Sequence, residues 1–279
     1  MAGQERRRLD AELVRRRLAR SREQAAELIE AGRVSVGGQR AAKAATRVET
    51  SAAIVVAAPP EGEPEYASRG GHKLAGALEA FGAGPEGLRV AGRRCLDAGA
   101  STGGFTDVLL RAGARQVVAV DVGYGQLVWE LRNDPRVVVV DRTNVRELTL
   151  DQIGGDPVEL VVGDLSFISL TLVLPALARC AVPEADFSLM VKPQFEVGRE
   201  RLGSGGVVRD PELHVESVRT VAAAAAGLGL GVLGVAASPL PGPSGNVEYF
   251  LWLRRGAPAL REEDVRRAVA EGPAGVAGR

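Results

Sequence analysis

The chain is short of lysine, cysteine and histidine, and each shortage narrows what it can do. Its 279 residues include two cysteines, Cys95 and Cys180, in neither a CxxC nor a metal-type spacing. That argues against a disulfide-stapled scaffold and for buried thiols in a reducing cytosol. The two histidines, His72 and His214, are too far apart to suggest a metal centre. No apolar run approaches the roughly 18 residues of a membrane helix. The opening MAGQERRRLD lacks the apolar core of a secretory signal, so a cytoplasmic protein is expected. Lysine is the most telling shortage. Of 35 basic residues only Lys43, Lys73 and Lys192 are lysine, and the rest are arginine.

A formal net charge of zero conceals an uneven distribution. Residues 1–50 carry 12 basic and 7 acidic residues, a net of +5, which leaves −5 on the remainder. A basic first segment on a mildly acidic body suggests a module that meets a polyanion. In RRLDAELVRRRLA, helical spacing puts Leu9, Leu13, Val14 and Leu18 on one face. A second helix is expected to open at Ser21, with Gln24 completing a capping box, and to stop at Gly32. RVSVGGQR then reads as a hairpin, and Ile54–Val56 as a further strand. Residues 1–58 thus form a small α+β module, and the Pro/Glu-rich residues 59–66 form a linker.

After a helical KLAGALEAFG the chain alternates. Valine-rich strands occur at RRCLDAG, QVVAVDVG, RVVVVD, ELVVGDL and DFSLMVK, with helical patterns such as FTDVLLRAG, GQLVWELRN and SLTLVLPALARCA between most of them. Near-continuous apolar strands separated by helices predict an α/β fold with a mostly parallel sheet covered on both faces. LGVLGVAAS and NVEYFLWLR are expected to pair antiparallel at its edge, making seven strands over residues 67–256. Residues 257–279 read as a terminal helix and tail.

LDAGASTGGFTD is a strand end, a glycine-rich turn and a helix start, where a doubly wound sheet holds a nucleotide-like ligand. Its spacing is neither GxGxxG nor GxxxxGK[ST], and Asp97 and Asp107 disfavour a pyrophosphate. A cationic ligand with a ribose fits better, and S-adenosylmethionine is such a ligand. Candidate contacts are Asp97, Gly99, Ser101, Thr102, Gly103 and Gly104. At the ends of the next two strands, Asp121 is placed to accept ribose hydroxyl protons and Asp141 to border the adenine.

The segment RRLDAELVRRRLARSREQAAELIEAGRVSV resembles an S4 RNA-binding domain. The rest resembles an FtsJ-type 2′-O-ribose methyltransferase, a Rossmann-like class I fold. With SRGGHKL, LDAGASTGGFTD, VGDLSFISL, LMVKPQFE and GPSGNVEYF in this order, the chain is similar to the TlyA family over nearly all its length. The resemblance implies a Lys-Asp-Lys-Glu tetrad at Lys73, Asp164, Lys192 and Glu248. It also implies S-adenosylmethionine-dependent 2′-O-methylation of cytidine in 16S or 23S ribosomal RNA, on free RNA or on ribosomal subunits, without a metal or a membrane. Arg6, Arg20, Arg22 and Arg33 are then the candidate RNA-backbone contacts. Arg199 and Arg201, in a Gly/Arg loop past a strand end, are further phosphate candidates, and Lys43 is another.

The chemistry explains the two conspicuous lysines. A ribose 2′-hydroxyl is a weak acid and must lose its proton while oxygen, methyl and sulfur are aligned. A desolvated lysine can take that proton, whereas an arginine stays protonated. Because members of this family also carry haemolysin names, a membrane-active cytolysin is the alternative reading. It needs a secretion signal or an amphipathic or spanning segment, and the sequence offers neither. A non-catalytic RNA-binding protein is the other alternative, against which the intact tetrad and glycine turn stand.

Overall fold

The computed structural model describes residues 5–19, 21–58, 64–242 and 245–273. The chain divides into two units, Met1–Glu65 and Tyr66–Arg279. The first begins with a strand rather than a helix: β1 (Arg6–Arg8) pairs antiparallel with β4 (Arg47–Glu49). Helix α1 (Leu9–Arg15) therefore starts where the arginine run ends, and it stops before Arg17, whose φ is +61°. Leu18, expected on its apolar face, lies beyond the helix and is exposed. Helix α2 (Arg22–Glu30) opens as its cap predicts, the Ser21 side chain accepting from the Gln24 amide at 3.1 Å. β2 (Val34–Val36) turns through Gly37 and Gly38, both at positive φ, into β3 (Gln39–Arg40). β5 (Ile54–Val56) closes a three-stranded sheet in the order β3-β2-β5. Leu9, Leu13, Ala25, Ile29 and Val34 fill the space between helices and sheet.

The second unit opens with α3 (Gly70–Phe81). Three strand–helix alternations and a lone strand follow: β6 (Arg94–Ala98) and α4 (Gly104–Arg111), β7 (Gln116–Val120) and α5 (Trp129–Arg132), β8 (Val137–Val140) alone, then β9 (Val158–Gly163) and α6 (Leu170–Arg179). β10 (Ala181–Val191), the single turn α7 (Pro193–Glu196), α8 (Pro211–Ala226), β11 (Leu230–Ala237), β12 (Tyr249–Arg255) and α9 (Glu262–Glu271) complete it. The strands form one sheet in the order β11-β12-β10-β9-β6-β7-β8. β12 runs antiparallel to both its neighbours, and the other pairings are parallel. Period-two alternation splits the strand residues between two cores. Leu96, Val118, Val120, Val161 and Leu189 pack with residues of α6, α8 and α9. Cys95, Val117, Leu160, Met190 and Phe250 pack with residues of α3 and α4.

One expectation shrinks. GQLVWELRN supplies only the four residues of α5, because Gly125 takes φ +66° and Val128 is extended. Between β8 and β9 the chain makes two 3-10 turns. Among the described residues no helix is long and apolar enough to cross a membrane.

At the amino-terminal side of the sheet, Asp186 of β10 is fully buried and satisfies both oxygens. Oδ1 accepts from Trp252 Nε1 at 2.7 Å and Arg254 Nε at 2.9 Å, while Oδ2 accepts from Arg93 at 2.6 Å and Arg254 Nη2 at 3.2 Å. Burial alone would push this carboxyl up, but the bonds from Arg254, Arg93 and Trp252 hold it below its ordinary value. A depressed folded-state value means a stabilisation present above the unfolded carboxylate range and lost as pH falls through the folded value. Asp186→Asn leaves two guanidinium groups uncompensated and is expected to cost about 3 kcal/mol at pH 7 in urea denaturation. The difference from wild type should shrink as the pH is taken below about 4.

Candidate functional site

The register of the sheet decides which side chains meet. In the parallel ladder Ala98 lies opposite both Val120 and Gly163, and Val120 opposite Val140. The residues that follow these strands, Gly99, Asp121, Asp141 and Asp164, therefore emerge along one edge. Val191 of β10 faces Tyr249, the first residue of antiparallel β12. Lys192 leaves one strand just where Glu248 enters the next. Lys73, in the first turn of α3, reaches the same place from above the sheet.

These four side chains form one cluster. Lys73 Nζ donates to Glu248 Oε2 at 2.5 Å. Lys192 Nζ lies 2.6 Å from Asp164 Oδ1 and 4.0 Å from Glu248 Oε1. The Lys192–Asp164 contact is an ion pair without hydrogen-bond alignment, since Asp164 Oδ1 has no hydrogen-bond partner among the described residues. Lys73, Lys192 and Glu248 are buried and Asp164 is partly so. Two lysines and two acidic side chains are gathered in a setting where a lone charge would be costly. Glu248 Oε1 is also buried without a hydrogen-bond partner among the described residues. Two of the three lysines of an arginine-rich chain thus sit on one glutamate.

Beside the cluster lies the glycine-rich turn. Gly99 takes φ +87°, and a Cβ there would come 2.9 Å from the Asp164 carbonyl oxygen, so the turn passes close to the loop that carries Asp164. Gly103 takes φ +102° and starts α4 with its amides uncapped by any side chain. Ser101 holds positive φ without being glycine, an arrangement that costs energy and gathers at functional sites. Its amide donates to Asp121 Oδ2 at 2.8 Å, while Gly123 donates to Oδ1 at 2.7 Å. Asp121 thus ties two loops together, and each oxygen keeps a second lone pair for a ligand. Asp141 is paired with Arg132 at 3.0 Å. Thr102 and Gly104 lie in the same turn, Gly104 being packed against the Gly71 amide.

Asp97 is the unusual member. It is fully buried, and the Thr106 hydroxyl donates to Oδ2 at 2.7 Å, but Oδ1 has no partner among the described residues. Burial pushes its carboxyl up to about 7; Thr106 opposes this and the charge of Asp164 adds to it. A buried carboxylate oxygen with nothing to accept from is a feature that a ligand donor or cation would relieve.

Some contacts were not visible in the sequence. Lys192 Nζ donates to Ser166 Oγ at 2.9 Å. Glu196 of α7 accepts from Ser169 Oγ at 2.5 Å and from the Leu170 amide at 2.9 Å, joining the loop after β9 to the loop after β10. Asn246 accepts from the Val208 amide and donates to the Gly206 carbonyl, both at 3.0 Å. Ser166 and Asn246, two positions from Asp164 and Glu248 respectively, were the available signal. Of the basic candidates, Arg6 is exposed on β1. Arg22 pairs with Asp10 at 3.0 Å, and Arg33 donates to the Ala57 carbonyl at 2.9 Å. Arg20 lies outside the described residues. Arg201 forks onto Glu216 with two bonds of 2.6 Å, which gives it an internal partner in place of a phosphate.

Both units of the chain resemble known proteins. Residues 66–255 match the FtsJ-like methyltransferase family and residues 7–54 match the S4 domain. The chain is 62% identical over 271 residues to the 16S/23S rRNA (cytidine-2′-O)-methyltransferase TlyA of Mycobacterium tuberculosis (strain ATCC 25618 / H37Rv), covering 95% of this chain and 98% of that one. It is 35% identical over 230 residues to Hemolysin A of Brachyspira hyodysenteriae, covering 82% and 92% respectively. A solved structure from Streptococcus thermophilus, named as a hemolysin, superposes with a TM-score of 0.76 at 37% identity, covering 96% of each chain. A methyltransferase sheet with its lysine–carboxylate cluster, preceded by an S4 domain, places this chain in the TlyA family of FtsJ-like methyltransferases.

Proposed function

We propose that this protein transfers a methyl group from S-adenosylmethionine to the 2′-hydroxyl of a cytidine in ribosomal RNA. The observation that carries the reading is the convergence of Lys73, Asp164, Lys192 and Glu248 at the edge where the glycine turn opens. The residues present fit the methyl donor. The unpartnered Asp97 Oδ1 suits a cationic ligand, and Asp121 has lone pairs for ribose hydroxyls. Asp141 is the candidate neighbour of the adenine.

When bound, S-adenosylmethionine supplies a methyl on a sulfonium, which leaves as a neutral thioether once the carbon is transferred. The chain has to bring the 2′-oxygen into line and accept its proton. Lys192 is assigned that proton: it borders the exposed Ser166, so the buried amine is approached from solvent on that side. Asp164 holds the amine by charge, and Glu248 anchors Lys73 within the same cluster. The basic first module is assigned RNA binding, its arginines contacting phosphate rather than base edges. Work on ribosomal RNA implies a cytoplasmic location. The cytolysin reading has no membrane-crossing helix among the described residues to support it.

Incubating the protein with ribosomal subunits and methyl-labelled S-adenosylmethionine, then mapping the RNA by mass spectrometry, should reveal a 2′-O-methylcytidine; absence of any ribose methylation would end this reading. Lys192→Arg keeps the charge but cannot accept a proton, and should lower kcat at least ~100-fold with an unchanged melting temperature. Asp97 provides a test by pH. A carboxyl raised in the folded state lowers stability as pH climbs from its unfolded value to about 7. Asp97→Asn should match wild type in melting temperature near pH 4 and exceed it at pH 8. The same variant should bind S-adenosylmethionine at least ~10-fold more weakly at pH 8, by calorimetry. Arg6→Ala should weaken RNA binding evenly across sequences and reduce the salt dependence by about one counterion.

A further inference from the structure

The loop after β9 carries Asp164 and Ser166, and the segment after β10 carries Lys192. They are stitched at three successive points. Lys192 meets Asp164 and Ser166, the Phe195 ring meets Phe167 at 5.3 Å between centroids, and Glu196 takes bonds from Ser169 and the Leu170 amide. Phe167 adopts φ +65°, a left-handed conformation uncommon for an aromatic residue. Such strain persists only where the surroundings over-determine the backbone, as three stitches do. The position of Ser166 is thereby set by its neighbours on both sides.

The two contacts of Lys192 differ in kind. The approach to Asp164 is close but unaligned, so it attracts the amine without fixing rotation about the Cε–Nζ bond. The contact to Ser166 Oγ is an aligned hydrogen bond of 2.9 Å. Glu248 Oε1, at 4.0 Å, is beyond hydrogen-bond reach. Among the described residues one aligned hydrogen bond therefore orients the amine, beside the Phe195 ring at 5.9 Å, and it comes from a neutral, exposed hydroxyl at the solvent side of a buried cluster.

We propose that Ser166 is a positioning residue for methyl transfer: its hydroxyl accepts one N–H of Lys192 and turns the amine so that a lone pair faces the ribose 2′-oxygen. The inference rests on Lys192 receiving the proton. The step it assists is balanced by that assignment. Lys192 enters the step as the neutral amine: the 2′ O–H bond breaks, its proton goes to the lone pair of the Lys192 nitrogen, the oxygen pair forms the O–CH3 bond, and the S–CH3 pair stays on sulfur. Ser166 keeps its own proton throughout.

The test is steady-state kinetics on ribosomal subunits with Ser166→Ala, Ser166→Thr and Lys192→Arg. Ser166→Ala should lower kcat about 10-fold or more, with KM for RNA and S-adenosylmethionine affinity within about twofold of wild type. Ser166→Thr, which retains a hydroxyl, should recover most of kcat. A wild-type kcat in Ser166→Ala, a loss residing in KM, or a loss that threonine does not restore would each overturn the assignment. An active Lys192→Arg would instead overturn the underlying role of Lys192. An inactive Lys192→Arg beside a fully active Ser166→Ala would sink the Ser166 inference alone.

Discussion

The antiparallel entry of β12 beside β10 is the constraint on which the rest depends. Because Val191 faces Tyr249, the last residue before one strand and the first after the other become neighbours, and these are Glu248 and Lys192. Side chains alternate along a strand, so a slip of one residue would turn Glu248 to the opposite face and leave two buried lysines sharing one carboxylate. The ladder is held in register by burial on both faces. Tyr249, Leu251 and Leu253 belong to one core, and Phe250 and Trp252 to the other. A mostly parallel sheet with one reversed strand thereby delivers Glu248 to the edge where β10 delivers Lys192 and β9 delivers Asp164.

The two buried aspartates of the sheet show how position sets ionisation. Asp186, at the amino-terminal side of the sheet, has four donors for two oxygens and remains a carboxylate. Asp97, near the carboxyl edge, has a single hydroxyl for the same number of oxygens and resists ionisation. The first arrangement secures the fold. The second leaves unmet demand for positive charge beside a glycine turn, as expected where a site gives up stability to keep a polar group unpaired.

Much of this was legible in residue order, and the remainder has identifiable physical causes. Runs such as VVAV and RVVVV are too apolar for a half-exposed strand, which is why the doubly covered parallel sheet could be read directly. The glycine turn and the four tetrad positions carry local motifs, and the sheet brings Lys73, Asp164, Lys192 and Glu248 within a few ångströms. Contacts made across the chain were not legible. Asp186 meets Arg93 and Trp252 from sequence separations of 93 and 66 residues, with no pattern linking them. The arginines of β1 look helical because their spacing continues that of α1, yet pairing with β4 claims their backbone first. Helix α5 is short for a related reason. Leu127 and Leu131 pack into the α3–α4 core, and backbone at Gly125 and Val128 bends to put them there.

The scarcity of lysine also governs how this protein responds to reagents. Acylating agents and amine-directed cross-linkers attack uncharged, accessible amines. Lys73 and Lys192 are buried within ion pairs, whereas Lys43 is exposed in the first unit. An arginine-rich surface is nearly silent to such chemistry. The side-chain amines of the folded chain therefore amount to one accessible handle, in the first unit, and two protected ones whose exposure would report that the cluster has come apart.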